Sequence, residues 1–385
     1  MLSFRTYANS TMNSPIETRR VSPRGRNWFD SPESVRTVSI LRLLTPESPE
    51  AEALLYAKSC WWREPPKSPC AIRRTDPCSP AAAGSLLPMS RAAVRASTRE
   101  VVKRATRAVG MATADLRPPP DFLIIGTKRG GTTSFYFDLI EHPSYVRLYP
   151  PPVPGLKRDA TKGVHYFDSN VTRGERWYRS FMPTSATRRL HARRTGGPVV
   201  AGEASPYYLF HPVAAERAHA SVPDARIIAL LRDPVSRTHS HWKERRRGEA
   251  EPLEFEEALA AEPGRLAGER ERLVADPSYY SYAWEQQSYA TQSEYAPALR
   301  RWVDLFGADR VHVAVSEEYY ADPVRVLGDV DDFLGLPRRQ SSTGTIRNAA
   351  EGSPLSPELE ATLRARFAGP NRDLAELAGR TLPWA

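Results

Sequence analysis

A short apolar segment that ends in a glycine-rich loop constrains the fold of this chain most. Residues 122–126 read Phe-Leu-Ile-Ile-Gly, residues 126–133 read Gly-Thr-Lys-Arg-Gly-Gly-Thr-Thr, and a helical pattern follows through about Glu141. A buried strand, a glycine loop and a helix N-terminus in this order direct backbone N–H groups and the positive end of the helix dipole at an anion. The segment therefore predicts a phosphate site at the end of a first strand.

Three further apolar segments have the length of buried strands, at Pro198–Glu203, Arg226–Leu231 and Arg310–Val315. Helical patterns lie between and after them, over Pro212–Ser221, Pro234–Arg247, Phe255–Ala261, Tyr295–Phe306, Pro323–Leu334 and Pro357–Phe367. Apolar strands that alternate with helices are typical of a parallel sheet covered on both faces. We therefore predict an α/β fold of the P-loop type, with a central parallel sheet flanked by helices.

The first 118 residues have a different character. They are rich in proline, contain all three cysteines, and hold no hydrophobic period longer than two turns apart from a basic helical pattern at Ala92–Val109. Such a composition does not support a packed core. We expect residues 1–118 to be a disordered extension, or the product of a start assigned too early with Met111 as the true start, and residues 119–385 to form the domain.

Charge and composition exclude several classes of protein. Basic residues outnumber acidic ones only within residues 1–120, so the net charge of +9 argues against a nucleic-acid-binding domain. The cysteines lack zinc-ligand spacing and the histidines are scattered, so we expect no metal. No apolar run is long enough to insert into a membrane and residues 1–20 lack the core of a secretory signal, so a cytoplasmic location is expected.

The glycine loop departs from the usual nucleotide-binding loop. Gly126 and Gly131 have the spacing of the motif G-x-x-x-x-G-K-[ST], but Thr132 stands where that motif places its phosphate-binding lysine. Positive charge lies earlier, at Lys128 and Arg129. This pattern favours a phosphate site that is not an ordinary ATP or GTP site, while a P-loop kinase or NTPase and a simple strand–helix turn remain alternatives.

A second candidate phosphate site is the segment LLRDPVSRTHS over residues 230–240. An apolar strand ends at Arg232, Pro234 opens a helix, and Ser240 lies about two turns into that helix. Ligands bind at the carboxyl ends of strands in such sheets, and a guanidinium is well shaped for phosphate. The alternative is a helix-start turn with a local ion pair.

Together the two segments resemble the sulfotransferase superfamily, which uses 3′-phosphoadenosine 5′-phosphosulfate (PAPS). FLIIGTKRGGTTS, over residues 122–134, is similar to that family's 5′-phosphosulfate loop, and LLRDPVSRTHS is similar to its 3′-phosphate element. KGVHYFD at 162–168 and GEASPYY at 202–208 resemble two further active-site segments, and residues 346–384 resemble the C-terminal part of bacterial members. The resemblance covers residues 120–385.

The resemblance implies an enzyme that moves a sulfuryl group from PAPS to a hydroxyl of a carbohydrate or small molecule, without a metal. By this resemblance Arg129 grips the 5′-phosphosulfate and offsets charge on the leaving group, and Arg232 and Ser240 bind the 3′-phosphate. Further cofactor contacts are expected at Lys128, Gly130, Gly131, Thr132, Thr133, Ser134 and Arg347. The aromatic and polar segment 277–295 is a candidate acceptor cleft or an ordinary packing face.

The catalytic base is where the chain departs from the family pattern. The carbohydrate-acting branch has Lys-Glu-x-His-Phe-Phe with the Glu as base, but this chain has Gly163 at the Glu position, and Ala204 replaces a lysine of the second segment. His165 is one candidate base, because imidazole has a suitable pKa, and Glu203 is its rival. The two departures leave a catalytically inactive PAPS-binding protein as an alternative, and the sequence predicts neither the acceptor nor the oligomeric state.

Overall fold

The computed structural model describes residues 104–151, 161–342, 344 and 355–384. Most of the predicted N-terminal extension and Arg347 lie outside these residues. Four parallel strands form one sheet in the order β2-β1-β3-β4. The strands are β1 (Phe122–Gly126), β2 (Gly202–Ala204), β3 (Arg226–Leu231) and β4 (Val311–Val315).

Helices connect and flank these strands. The first six are α1 (Thr132–Leu139), α2 (Glu175–Arg179), α3 (Ser185–Thr195), α4 (Ala214–Ser221), α5 (Pro234–Arg247) and α6 (Phe255–Leu266). They are followed by α7 (Glu269–Ala275), α8 (Tyr282–Gln286), α9 (Tyr295–Phe306), α10 (Ser316–Ala321), α11 (Pro323–Phe333) and α12 (Pro357–Ala378). None of the helices in the described part of the chain is both long and apolar enough to cross a membrane.

Both faces of the sheet are buried, which explains why its strands read as continuous apolar runs. On one face Leu123 and Ile227 pack against α4 and α9, including the fully buried Trp302. On the other face Ile124 and Ile228 pack against α1 and α11. The predicted fold class is confirmed, since the sheet is parallel and covered by helices on both sides.

The register of the sheet brings the carboxyl ends of its strands to one edge. Ile124 pairs with Ala204 across β1 and β2, and Leu231 pairs with Val315 across β3 and β4. The loops that follow β1, β3 and β4 therefore start side by side, and α1, α5 and α10 begin at this edge. This edge is where the sequence predicts the phosphate sites.

Residues 104–118 are helical over 104–112 and at Ala114–Leu116. The Arg107 side chain donates a 2.7 Å hydrogen bond to Ser180 and lies 3.3 Å from the centre of the Phe181 ring. Arg117 is buried and donates to the carbonyl of Met182. This stretch, which the sequence places in the extension, thus packs against the fold, and the division into an extension and a domain at residue 118 stays a prediction.

Several predicted boundaries differ from the structure for identifiable reasons. The segment Pro198–Glu203 contributes only its end to β2, because Val200 pairs instead with Tyr145 in an isolated bridge. Helices α6 and α12 continue through Pro263 and Pro370, although the sequence predicted that they end earlier, at Ala261 and Phe367. Five helices were not predicted from the sequence. Four of them are short, namely α2, α7, α8 and α10. The fifth, α3, buries no residue and so has no apolar stripe that would reveal it.

Candidate functional site

A cavity of about 770 Å³ opens at the carboxyl edge of the sheet. Its wall combines the glycine loop, the start of α5 and the start of α10 with two residues from the segments before and after β2. The lining residues are Lys128, Arg129, Gly131, Thr132, Thr133, Lys162, Pro206, Arg232, Ser236, His239, Ser240, Lys243, Glu244, Ser316, Glu317 and Tyr320. The two predicted phosphate segments therefore face the same cavity.

Arg129 joins these two segments by direct contact. Its Nε donates a hydrogen bond to Ser240 Oγ at 3.2 Å, and its backbone carbonyl accepts one from Arg232 Nη1, also at 3.2 Å. Arg129 adopts a left-handed backbone with φ of 66°, which is costly for a residue with a side chain and is found mainly where surrounding structure or function requires it. The loop thus holds a strained arginine against the second segment.

The start of α1 provides the anion-binding geometry expected of the loop. Gly131 caps the helix with φ of 83°, a conformation that favours glycine, and a Cβ at this position would lie 2.4 Å from Tyr320 Oη and force that side chain to move. The first amides of a helix have no partner within it, and Thr132 and Thr133 bring this end of α1 to the cavity. The helix N-terminus and two hydroxyl side chains therefore face the same space.

Two loop residues from the predicted set do not line the cavity. The Gly130 amide donates to the carbonyl of Thr127 at 3.0 Å, and the Gly130 carbonyl accepts from Ser316 Oγ at 2.8 Å. Ser134 is fully buried within the first turn of α1. Gly130 therefore helps to hold the shape of the loop, and Ser134 faces the protein interior.

Lys128 lines the cavity, but its ammonium group is engaged by α8. Lys128 Nζ lies 2.9 Å from Glu285 Oε1 and 2.9 Å from Gln286 Oε1. Burial lowers the pKa of Lys128, and the Glu285 carboxylate opposes that shift. The residue links the glycine loop to the aromatic segment that the sequence analysis offers as an acceptor cleft.

Lys162 reaches the glycine loop, although the sequence did not identify it as a site residue. Its Nζ donates to Thr132 Oγ1 at 3.0 Å and to Thr133 Oγ1 at 3.2 Å. Burial lowers the pKa of Lys162 to about 8, against the attraction of the Glu203 carboxylate. Its position as the first residue of the KGVHYFD segment could have drawn attention to Lys162. That position alone, however, does not predict a contact with the glycine loop.

His165 is paired with a buried carboxylate. Its Nδ1 lies 2.8 Å from Asp168 Oδ2, and 42% of its side chain is exposed. Burial opposes protonation, but the adjacent Asp168 prevails and raises the pKa of His165 to about 9. The His165 amide donates to Ser205 Oγ at 3.0 Å, and the next residue, Pro206, lines the cavity.

Glu203 is fully buried and both of its carboxylate oxygens accept hydrogen bonds. Oε2 accepts from the Val164 amide at 2.7 Å and from Ser205 Oγ at 2.6 Å, and Oε1 accepts from Tyr208 Oη at 2.7 Å. Burial raises the pKa of Glu203, and these hydrogen bonds lower it. The carboxylate ties the segment around residue 164 to the end of β2, and it has no exposed atom with which to meet an acceptor.

The start of α10 is a third wall that the sequence did not predict. Glu317 Oε1 accepts from the Asp233 amide at 3.0 Å and also lines the cavity beside Ser316 and Tyr320. The predicted fourth strand ends at Val315. Because ligands bind at the carboxyl ends of strands, the residues that follow Val315 could have been predicted to line the site. Among the described residues, no three histidine, cysteine or acidic side chains are arranged to hold a metal ion.

A parallel sheet flanked by helices, with a glycine loop after β1 and a basic cavity between the ends of β1 and β3, defines an α/β protein of the P-loop type. The family model described as "Sulfotransferase domain" matches residues 119–351. The chain therefore belongs to the sulfotransferase domain family, and the resemblance seen in the sequence is confirmed.

Known proteins of this family are similar to most of the described domain. Human heparan sulfate glucosamine 3-O-sulfotransferase 6 is 28% identical over 66% of this chain and 63% of its own length. The membrane-associated sulfotransferase kil1 of Dictyostelium discoideum is 23% identical over 69% of this chain and 66% of its own length. A crystal structure of a sulfotransferase from Alicyclobacillus acidocaldarius is 29% identical with a TM-score of 0.50, covering 69% of this chain and 99% of that one.

These comparisons correct the expected location and show how much of each relative the chain covers. A cytoplasmic location is wrong by this comparison, since the relatives are heparan sulfate sulfotransferases and a sulfotransferase named as membrane-associated. The expectation rested on missing signals in the sequence, which cannot locate a protein. The chain spans slightly less than two thirds of these two curated relatives, at 63% and 66% of their lengths.

Proposed function

We propose that this chain is a PAPS-dependent sulfotransferase that transfers a sulfuryl group to a hydroxyl of a carbohydrate or small-molecule acceptor. The contact between Arg129 and Ser240 carries the proposal, because the two residues lie 111 positions apart in the sequence and meet at 3.2 Å. A cavity of about 770 Å³ around them is roomy enough for a nucleotide-sized ligand. Membership of the sulfotransferase family supports the same reading.

In this proposal the 5′-phosphosulfate of PAPS lies at the N-terminus of α1. Gly131, Thr132 and Thr133 offer amides and hydroxyls there, and Arg129 adds a guanidinium. Arg232 and Ser240, at the end of β3 and on α5, bind the 3′-phosphate. The remaining predicted contacts act less directly, since Gly130 helps to hold the shape of the loop, Ser134 faces the protein interior, Lys128 is engaged by α8, and Arg347 lies outside the described residues.

Transfer then proceeds in line. The acceptor oxygen attacks sulfur while the bond between sulfur and the bridging oxygen breaks, and its electron pair stays on the 5′-phosphate of the departing 3′-phosphoadenosine 5′-phosphate (PAP). The acceptor proton passes to a base on the enzyme. Preorganised donors of the loop and Arg129 stabilise the charge that grows on the leaving oxygen, in the manner of phosphoryl transfer.

We assign the base to His165 and a positioning role to Glu203. The hydrogen bond from Nδ1 to Asp168 leaves Nε2 of neutral His165 as the proton acceptor, and the ring is partly exposed, although His165 is not among the residues that line the cavity. Glu203 is buried, and its oxygens already accept three hydrogen bonds. It supports the loop that carries His165 through Val164 and Ser205.

The proposed acceptor is a hydroxyl compound with a sugar or ring to stack. Tyr280 and Tyr282 are exposed near Glu285, and Trp284 stacks on Phe210 with ring centres 4.9 Å apart. Aromatic faces of this kind suit a sugar ring or another planar group. Several relatives are named for glucosamine in heparan sulfate, which supports a carbohydrate.

Titration calorimetry of PAP into the full chain tests the cofactor site. We expect micromolar binding to the wild type and a loss of roughly tenfold or more in Arg232→Ala, because a charged hydrogen bond to phosphate is removed. Arg226→Ala is the matched control, since Arg226 occupies the opposite, exposed end of β3 and should leave binding unchanged. A folded wild type that does not bind PAP would overturn the proposal.

Two further measurements separate the alternatives. ATP hydrolysis without PAP binding would favour a P-loop NTPase over a sulfotransferase. Tight PAPS binding without PAP release, in the presence of a panel of sugar and phenolic acceptors, would favour a cofactor-binding protein that is inactive. Formation of PAP from PAPS that depends on an added acceptor is the result that we expect.

A further inference from the structure

Two lysines that the known patterns require are absent from this chain. A nucleotide P-loop would place a lysine at Thr132, and the carbohydrate-acting sulfotransferase pattern would place one at Ala204. Each would bring an ammonium group to the reacting end of the cofactor. The proposed site therefore needs another source of that charge, beyond the strained Arg129.

Lys162 brings an ammonium group to this place from a different segment. Its Nζ contacts the hydroxyls of Thr132 and Thr133 at 3.0 and 3.2 Å, which are the first two residues of α1. Lys162 also lines the 770 Å³ cavity. Among the described residues, Lys162 is thus a lysine that reaches position 132, where a nucleotide P-loop has its own lysine.

The backbone explains why Lys162 lies next to position 204, where the second lysine of the family pattern is missing. The Ala204 amide donates to the Lys162 carbonyl at 2.9 Å, so the two residues are neighbours across adjacent segments. A Cβ on Gly163 would lie 2.5 Å from the Ala204 carbonyl oxygen and 2.9 Å from Ser205 Oγ. The glycine therefore lets the segment lie directly on β2, and this close approach carries Lys162 into the cavity.

We infer that Lys162 is a catalytic residue that binds the 5′ end of the cofactor and stabilises the charge on the departing 5′-phosphate oxygen. This inference rests on the proposed sulfotransferase function. The ammonium donates hydrogen bonds to the bridging or terminal oxygens of the 5′-phosphosulfate in place of the threonine hydroxyls. No covalent bond of Lys162 forms or breaks. Its hydrogen bonds to the cofactor strengthen as negative charge grows on the departing oxygen.

The position of the contact is tested with two nucleotides that differ only at the 5′ end. We expect Lys162→Met to weaken PAP binding roughly tenfold or more and to leave adenosine 3′-monophosphate, which has no 5′-phosphate, within about twofold. Lys243→Met is the matched control, because Lys243 lines the same cavity from α5 beside Arg232. It should weaken both nucleotides by similar factors.

Proton uptake gives a second readout that a merely structural lysine would not change. Lys162, with its pKa lowered to about 8 by burial, is about half protonated at pH 8, and a neighbouring phosphate should complete its protonation. We expect the wild type to take up about half a proton per PAP bound at pH 8, measured by calorimetry in buffers of different ionisation enthalpy. Lys162→Arg should keep the affinity and lose the uptake, because arginine stays charged.

The outcomes separate this inference from the function on which it rests. No PAP binding by the folded wild type would overturn both. Wild-type binding that Lys162→Met matches, in affinity and in proton uptake, would overturn the role of Lys162 and leave the sulfotransferase proposal standing. Loss of both nucleotides in Lys162→Met, with unchanged thermal stability, would also contradict a contact confined to the 5′ end.

Discussion

The carboxylate of Glu244 lies 3.4 Å from the guanidinium of Arg129, inside the cavity proposed for the cofactor. Glu244 and Ser240 are one turn apart on α5, so the helix offers Arg129 a hydroxyl and an anion on the same face. A cofactor phosphate must compete with this carboxylate for the arginine.

Replacing Glu244 with Gln should therefore tighten PAP binding. The side chain is 30% exposed and screened by solvent, so the expected decrease in Kd is roughly two- to fivefold. Calorimetry at low and high salt measures it, and the difference between the two proteins should shrink as salt screens the charge. Glu256→Gln, at an exposed position of α6, is the control and should leave PAP binding unchanged. Weaker PAP binding by Glu244→Gln would contradict the prediction and would show that Glu244 positions Arg129.

Asp168 should set the pH dependence of the proposed reaction. A base must be neutral to accept a proton, so with the pKa of His165 raised to about 9 the rate of PAPS turnover should rise with pH until about pH 9. Asp168→Asn removes the negative charge that raises the pKa of His165. The midpoint of the rate–pH profile should therefore move toward the ordinary histidine value near 6.5. The maximum rate should also fall, since a neutral amide accepts a weaker hydrogen bond from Nδ1–H than a carboxylate does and holds the ring less firmly.

Histidine titration by NMR checks this shift without an acceptor. The His165 resonance, assigned with His165→Gln, should titrate near pH 9 in the wild type and well below that in Asp168→Asn. A His165 signal with the same midpoint in both proteins would contradict the pairing as the cause of the raised pKa.

The edge of the sheet that carries the site was predictable from sequence because it depends on local patterns. Apolar runs located β1, β3 and β4, and parallel strands place their carboxyl ends together, so the two predicted phosphate segments were expected at this edge. The contact between Arg129 and Arg232 is what the structure adds. The preference for glycine at position 131 also follows from a local requirement, a positive φ at a helix cap.

The contacts that span distant segments were not predictable in this way. Lys162 reaches Thr132 only because the segment around residue 163 lies on β2, and the apolar run Pro198–Glu203 does not indicate which segment packs against that strand. The role of Glu203 depends on donors from Val164 and Tyr208, so its burial could not be read from the end of an apolar run. Side chains whose partners lie far away in sequence need the fold to be known first.

Arg237 should stabilise both the fold and the glycine loop. It is fully buried, and its guanidinium donates to the carbonyls of Lys128 and Tyr289 at 3.0 and 2.7 Å and to Gln292 Oε1 at 2.7 Å. Burial lowers the pKa of Arg237 to about 10, which still leaves it charged at neutral pH. The side chain therefore fastens α5 to the loop that precedes α1 and to the segment before α9.

Arg237→Met should lower the free energy of unfolding by about 3 kcal/mol or more, because it leaves several buried oxygens without donors. Urea unfolding followed by circular dichroism measures the change. Arg246→Met, on the exposed end of the same helix, should cost less than about 1 kcal/mol. Equal losses in the two variants would show that the buried network around Arg237 contributes little.

Restoring the family's glutamate at position 163 should not restore the family's base. A Cβ there would lie 2.5 Å from the Ala204 carbonyl oxygen, so Gly163→Glu and Gly163→Ala should both push the segment off β2 and displace Lys162 and His165. We expect each to lower stability by about 1–3 kcal/mol and to reduce PAPS turnover, by thermal denaturation and PAP formation. Gly197→Ala is the control, since a Cβ at that position meets no atom within 4 Å. Turnover by Gly163→Glu that no longer depends on His165 would contradict this expectation, because it would mean that the segment accommodates a side chain at 163 and that the glutamate acts as the base.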